Sequence, residues 1–126
     1  MARRLLLTLM LLLSACAGDT DFSQPLSALQ IRNRLVGQDI EAASEHGARY
    51  GLYFERTNFA QMYDGTTEFV RWHAEDDKGL CMQQRDQPEF CAPVYQLTVA
   101  RFRWGDTVLG IIGVKIPGQP TGFRMY

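Results

Sequence analysis

The sequence has few of the side chains used in acid–base and nucleophilic catalysis, because only two histidines, His46 and His73, occur among its 126 residues. It contains no glycine-rich phosphate-binding loop and no Gly-x-Ser-x-Gly segment, so two common signatures of nucleotide-binding and hydrolytic enzymes are absent. It has no excess of positive charge, with 13 Lys and Arg against 14 Asp and Glu, which argues against a nucleic-acid-binding protein. These shortages favour a non-enzymatic protein with no catalytic residues, cofactor or metal.

A long apolar run is also missing at the N-terminus, since residues 5–13 form a run shorter than the ~20 residues that span a bilayer. Two arginines precede this run, as in a secretory signal. The segment Leu13-Ser14-Ala15-Cys16 follows, and it resembles the bacterial lipobox, in which the chain is cut before the cysteine and the new N-terminus is acylated. The resemblance implies a signal peptide over residues 1–15 and a lipid such as palmitate on Cys16. An ordinary secretory signal with a nearby cysteine is the alternative.

The residue after the cysteine bears on location. Ala17 stands where lipoproteins kept in the inner membrane often have Asp, so the resemblance implies anchoring in the outer membrane of a bacterial cell envelope, facing the periplasm. Cleavage would leave 11 basic and 14 acidic side chains, a net charge of −3. We expect a tether over residues 16–25, a β-rich domain over residues 26–117 and a flexible tail over residues 118–126.

Two further cysteines bracket a polar turn. If the chain reverses around Asp86, Cys81 lies opposite Cys91, and in an exported chain this spacing predicts a disulfide. The pairing leaves Cys16 as the odd cysteine, which lipidation would use. The alternative is a reactive Cys81 thiol beside His73, which would also need a third, orienting group.

The remaining pattern predicts one helix and many short strands. Ser27-x-x-Gln30 has the spacing of a capping box and Gly37 is a helix stop, so a helix is expected over residues 28–36. Asp64-Gly65 predicts a hairpin turn. Strands are expected over residues 39–42, 48–55, 58–63, 66–74, 80–85, 90–97, 99–104 and 107–116. The predicted fold is mainly β. One short N-terminal helix is followed by an antiparallel meander that curls into a small, lipocalin-like barrel or half-barrel, which one disulfide cross-links. The apolar run 107–116 should be paired on both sides.

Aromatic residues concentrate in the first half of this sheet and could line a cavity, contact a protein partner, or simply form the core. Strict alternation along residues 66–74 places Val70 and Trp72 on one face and Phe69, Arg71 and His73 on the other. The acidic run after His73 is consecutive in sequence, which favours a solvated strand end over a metal site. The candidate binding residues are Arg49, Tyr50, Tyr53, Phe69, Arg71, Trp72 and His73.

Two further resemblances concern function. The segment from Gly47 to Cys91 looks like small bacterial envelope domains of unknown function that share a leading helix, a β-rich body and a late cysteine pair. The segment His46-Gly47-Ala48-Arg49-Tyr50 is similar to the Ser-Gly-Ala-Arg-Tyr segment of lipoprotein inhibitors of C-type lysozyme, which implies that Arg49 and Tyr50 lie near a loop that enters the enzyme's cleft. Three hypotheses follow: a non-enzymatic envelope module that contacts another protein, a hydrolase inhibitor, or a carrier of a small apolar ligand.

Overall fold

The computed structural model describes residues 22–114, which form one helix and nine strands. The predicted leader, residues 16–21 of the tether and the predicted tail lie outside the described residues. The elements are α1 (Ala28–Leu35), β1 (Gln38–Ser44), β2 (Arg49–Phe54), β3 (Phe59–Tyr63), β4 (Thr67–Glu75), β5 (Gly79–Gln83), β6 (Phe90–Ala92), β7 (Val94–Thr98), β8 (Arg101–Trp104) and β9 (Thr107–Val114). No helix within residues 22–114 has the length and apolar character needed to cross a membrane.

The nine strands form one antiparallel sheet that curls into a nearly closed barrel, which confirms the predicted fold class. Their order is β6-β5-β4-β3-β2-β1-β9-β8-β7. Consecutive strands therefore pair with each other except β6 and β7, which are the two edges, and β1 also pairs with β9. Strand β9 lies between β1 and β8, and residues 107–110 of its apolar run are paired on both sides, as predicted, whereas residues 111–114 pair with β1 alone.

The prediction of a single strand over residues 90–97 is wrong. Pro93 divides this segment into β6, which pairs with β5, and β7, which pairs with β8. Proline has no N–H to donate to a ladder, so continuous pairing ends there. In an antiparallel sheet of nine strands the two edge strands run in the same direction, and β6 and β7 are thus the two halves of one bent strand. We call the gap in the ladder beside Ala92, Pro93 and Val94 the seam.

Two hydrogen bonds cross or cover the seam. The indole Nε1 of Trp104 in β8 donates to the Leu80 carbonyl oxygen in β5 at 2.9 Å. The Leu26 backbone N–H, just before α1, donates to the Val94 carbonyl oxygen at 2.8 Å. Both bonds satisfy buried or partly buried backbone groups that a complete ladder would have paired.

Helix α1 begins as the capping box predicts. The Gln30 backbone N–H donates to Ser27 Oγ at 3.2 Å, and the Ser27 backbone N–H donates to Gln30 Oε1 at 2.9 Å. The helix ends at Leu35, one residue earlier than expected, with Val36 as its C-cap. Gly37 follows with a φ of 79°, the left-handed conformation that glycine adopts at no steric cost.

The helix closes one end of the barrel. Its Ile31 and Leu35 side chains are completely buried in the core formed by the inward-facing strand residues. Arg34 Nη1 donates to the Oε1 of Gln96, a buried amide on β7, at 2.6 Å. The Ala28 backbone N–H donates to Asp76 Oδ1 in the β4–β5 turn at 2.8 Å. The end of the barrel near the β4–β5 turn is therefore capped by α1.

The core at this end is packed solid around Trp72. Its ring lies edge-to-face with Phe54 at a centroid distance of 5.2 Å, its Nε1 donates to the Phe59 carbonyl oxygen at 3.0 Å, and the Arg32 guanidinium lies 5.1 Å from its centroid. The alternation predicted for β4 is confirmed, because Trp72 is 1% exposed whereas Phe69 is 60% exposed.

The predicted disulfide is confirmed. Cys81 of β5 and Cys91 of β6 are bonded and lie directly opposite each other, with their Cα atoms 4.1 Å apart. Between them Asp86 has a φ of 59° and is the only non-glycine residue with positive φ in the part of the chain described. The chain thus reverses where the spacing of the cysteines predicts.

Candidate functional site

The end of the barrel opposite α1 is open. The turns β1–β2, β3–β4, β5–β6 and β8–β9 meet there, and we call this end the mouth. It contains a cavity of about 370 Å³, here called the mouth cavity. Its lining is partly apolar and partly polar, and consists of Met62, Met82, Pro88, Phe90 and Trp104 together with Tyr50, Gln84, Gln87, Asp106 and Thr107.

Strand register explains why the apolar residues point inward. Met62 lies opposite the buried Leu52, and Met82 lies opposite the buried Trp72. Phe90 in turn lies opposite Met82 on the neighbouring strand. Residues directly opposite each other in an antiparallel pair lie on the same face of the sheet, so these three side chains line the interior.

One wall of the mouth cavity is Trp104, which is 6% exposed. Its indole packs edge-to-face against Phe90, with centroids 5.3 Å apart and ring planes at 73°. A Cβ at Gly105 would lie 3.3 Å from the Phe90 ring, so the glycine leaves room for it. Because the Trp104 N–H is donated to the Leu80 carbonyl oxygen, it is not free to bond a ligand, and Trp104 offers the cavity apolar ring contact.

Three of the polar residues that line the mouth cavity, Tyr50, Thr107 and Asp106, are linked by hydrogen bonds. The Tyr50 hydroxyl is hydrogen-bonded to Thr107, and Thr107 Oγ1 donates to Asp106 Oδ1 at 3.1 Å. Outside the cavity His46 Nε2 lies 3.6 Å from Asp106 Oδ2. Burial raises the pKa of Tyr50 above its ordinary value of 10.0, the hydrogen bond with Thr107 partly opposes this rise, and the negative charge of Asp106 adds to it. Tyr50 is therefore a neutral hydrogen-bonding group at physiological pH.

Of the seven binding residues suggested by sequence, only Tyr50 lines the mouth cavity. Arg49 is exposed at the start of β2, where its Nη2 lies 3.7 Å from Glu41 Oε1. Trp72 belongs to the buried core, which conflicts with its interpretation as a binding residue because its ring has almost no exposed surface. Tyr53, Phe69, Arg71 and His73 lie on the outer face of the barrel, as the register of β2 to β5 shows.

Two shallower clefts lie outside the barrel. One of about 280 Å³ on the outer face is lined by Phe59, Phe69, Arg71, Gln83, Gln84, Arg85 and Asp86. The other, of about 550 Å³ beside α1, is lined by Arg32, Asn33, Val36, Gly37, Tyr53 and Arg56. Although the second cleft is larger, the mouth cavity alone among these three combines an apolar aromatic wall with a few convergent polar groups, the usual composition of a small-molecule site.

His73 belongs to a cluster that the sequence pattern did not predict. Its Nε2 is 2.9 Å from Glu89 Oε2 and its Nδ1 is 3.5 Å from Glu75 Oε2. Cys81 Sγ lies within 4.8 Å of ligand atoms of His73 and Glu89. Sequence reasoning grouped Glu75, Asp76 and Asp77 with His73, and of these Glu75 lies beside it, but the sequence could not place Glu89 there. The adjacency of Cys81 and His73 was anticipated, but a sulfur bonded to Cys91 is neither a thiolate nucleophile nor a thiolate metal ligand.

Comparison of the chain with protein-family models, with curated proteins and with solved structures gave no match.

Proposed function

We propose that this chain is a lipid-anchored protein of the bacterial cell envelope whose barrel is a non-enzymatic binding module. Its mouth cavity binds a small molecule with an apolar body. The observation that carries the proposal is the mouth cavity itself, which is walled by methionine and aromatic side chains in a barrel whose other end is closed by α1.

The size and composition of the cavity support this assignment. Its volume of about 370 Å³ falls at the lower end of the range for ligand sites, which is roughly 300–1,000 Å³. Met62, Met82 and Phe90 offer apolar contact area, and methionine adapts its shape to irregular ligands. The Tyr50 hydroxyl and the Gln84 amide offer hydrogen bonds that would orient the ligand.

Binding can be tested with N-phenyl-1-naphthylamine, a neutral apolar dye whose fluorescence rises in an apolar cavity. We expect saturable binding to a soluble form of the chain that begins after Cys16. Gln84→Trp should weaken binding by about tenfold or more, because loss of contact with a buried apolar group costs roughly 1.5–3 kcal/mol. Gln84 is exposed and lines the mouth, so the larger side chain obstructs the cavity without entering the core.

Gln83→Trp is the matched control. Gln83 is also exposed, but it lies opposite Arg71 on the outer face, one residue away and pointing the other way. Equal loss of binding in the two variants, or no saturable binding by the unmodified domain, would contradict a site in the mouth.

The lipid anchor is tested separately. Replacing the lipobox cysteine, Cys16→Ser, should move the protein from the membrane fraction to the soluble fraction and abolish incorporation of labelled palmitate. Fractionation of inner and outer membranes checks the outer-membrane location. Retention of Cys16→Ser in the membrane fraction, with no change in labelling, would exclude the anchor.

A second candidate function is inhibition of a lysozyme-like hydrolase by the β1–β2 turn. This turn projects at the mouth, with the His46 side chain 85% exposed and the Arg49 side chain 64% exposed. It is held in shape by the Ser44 backbone N–H donating to the Ala48 carbonyl oxygen at 2.9 Å and by the Ala48 N–H donating to Ser44 Oγ at 3.0 Å. Full lysis of bacterial cell walls by lysozyme in the presence of excess domain would eliminate this function. Protection that Arg49→Ala abolishes would support it.

A further inference from the structure

We propose that the ligand of the mouth cavity is a small organic cation, a quaternary or primary ammonium group on an apolar body. This inference rests on the proposed binding function and names the chemical class of ligand. It follows from three features of the lining: its charge, the arrangement of its rings and the state of its polar groups.

The charge of the lining is negative. Among the residues that line the cavity, Asp106 is the only charged side chain, and no lysine or arginine lines it. Arg103, the nearest arginine in sequence, lies opposite Val108 on the outward-facing side, and its Nη1 is 3.6 Å from Glu45 Oε1. An anion in the cavity would face Asp106 without a compensating cation, whereas an ammonium group would be attracted to it.

The rings of the lining form a corner that suits a cation. Phe90 and Trp104 meet at 73°, so their faces provide two walls nearly at right angles, and Tyr50 lines the same cavity. A cation within about 6 Å of an aromatic face is attracted by the ring quadrupole, most strongly for tryptophan. The Trp104 N–H is bonded to the Leu80 carbonyl oxygen and Trp104 is 6% exposed, whereas Phe90 is 51% exposed and offers most of the accessible ring surface.

The polar groups agree with this assignment. Thr107 Oγ1 and His46 Nε2 contact different oxygens of the Asp106 carboxylate, which holds it at the rim. The Asp106 side chain is 48% exposed, and a neutral apolar ligand would take its carboxylate out of water without adding an opposite charge, which is costly. A cation adds that charge, so the cavity as a whole is complementary to a positive group on an apolar body.

The test compares two probes of the same shape, choline and 3,3-dimethyl-1-butanol, which differ by a charged nitrogen in place of a carbon. Binding is followed from the two indole N–H signals in an amide-detected NMR titration, because the chain has two tryptophans. We expect the Trp104 signal to move while the signal of the core residue Trp72 stays. Choline should bind about tenfold more tightly than its neutral isostere.

Asp106→Asn should reduce this affinity ratio by about threefold or more, because it removes the charge and keeps the shape. Asp64→Asn is the matched control, since Asp64 lies in the β3–β4 turn at the same end of the barrel but does not line the cavity. Equal affinities for the two probes, or an unchanged affinity ratio in Asp106→Asn, would overturn the proposal that the ligand is a cation. The proposed binding function would still hold if the naphthylamine dye binds. Failure of choline and of the dye together would overturn both.

Discussion

Removing the Cys81–Cys91 disulfide should lower the free energy of unfolding by about 3 kcal/mol. The bond closes a loop with a sequence separation of 10 residues, for which the loop-entropy relation gives about 2.7 kcal/mol at 25 °C. Cys81 is completely buried, so Cys81→Ala also leaves a small void that adds up to about 1 kcal/mol. For a domain of this size, 1 kcal/mol corresponds to about 4–8 °C, so a loss of about 3 kcal/mol should lower the melting temperature of the Cys81→Ala, Cys91→Ala double variant by roughly 12–24 °C.

The assay is urea and thermal unfolding of the soluble domain, followed by circular dichroism. Reduction of the unmodified domain by a dithiol provides the control, because it removes the same restriction without a substitution. The β5–β6 loop carries three residues of the mouth cavity, so dye binding should weaken in both cases. If the double variant lost less than about 1 kcal/mol of unfolding free energy, the reasoning would be refuted. Such a result would mean that residual β5–β6 pairing already restricts this loop in the unfolded chain without the disulfide.

Three further predictions test the seam, the mouth and the helix. Gly79→Ala should lower the free energy of unfolding, measured with urea, by at least about 2 kcal/mol more than Gly47→Ala. Both glycines have φ above 80°, but only at Gly79 would an added Cβ overlap backbone atoms of the seam. Tyr50 should ionise above pH 10 in a titration followed at 295 nm, and Asp106→Asn should lower that pKa. Because the folded pKa is raised, the contribution of Tyr50 to stability is complete below pH 10 and is lost as the pH rises through the folded value. Arg32→Met should lower stability by about 1 kcal/mol through loss of the cation–π contact with the core indole, and the same substitution at the exposed Leu29 should cost less.

Features set by residues close in sequence could be predicted without the structure. The capping box of α1 needs only Ser27 and Gln30, three residues apart, and its stop needs only Gly37. The β5–β6 hairpin needs two cysteines and a residue between them that tolerates positive φ. The strand positions inside the described residues agree with prediction to within two residues, apart from the break at Pro93. That break was missed because alternation continues across it, whereas pairing does not.

The candidate site depended on contacts between distant parts of the chain. Tyr50 and Asp106 come together only because β1 pairs with both β2 and β9, a long-range arrangement that no local pattern specifies. Trp104 reaches the Leu80 carbonyl oxygen, 24 residues away, because the bent β6–β7 strand brings the two edges of the sheet together. The periodicity along a single strand indicates which side chains face inward but not which end of the barrel α1 closes.

The sequence by itself therefore determined the elements and the disulfide, since each depends on residues within about one turn or one hairpin, and the export leader stays a prediction from one short motif. Only the tertiary structure decided that Trp72 is core and that Trp104, Phe90 and Asp106 share a cavity. The physical reason is that an inward-facing residue packs under α1 at one end of the barrel and lines the cavity at the other. Strand order and helix position, which are long-range properties, set which of the two applies.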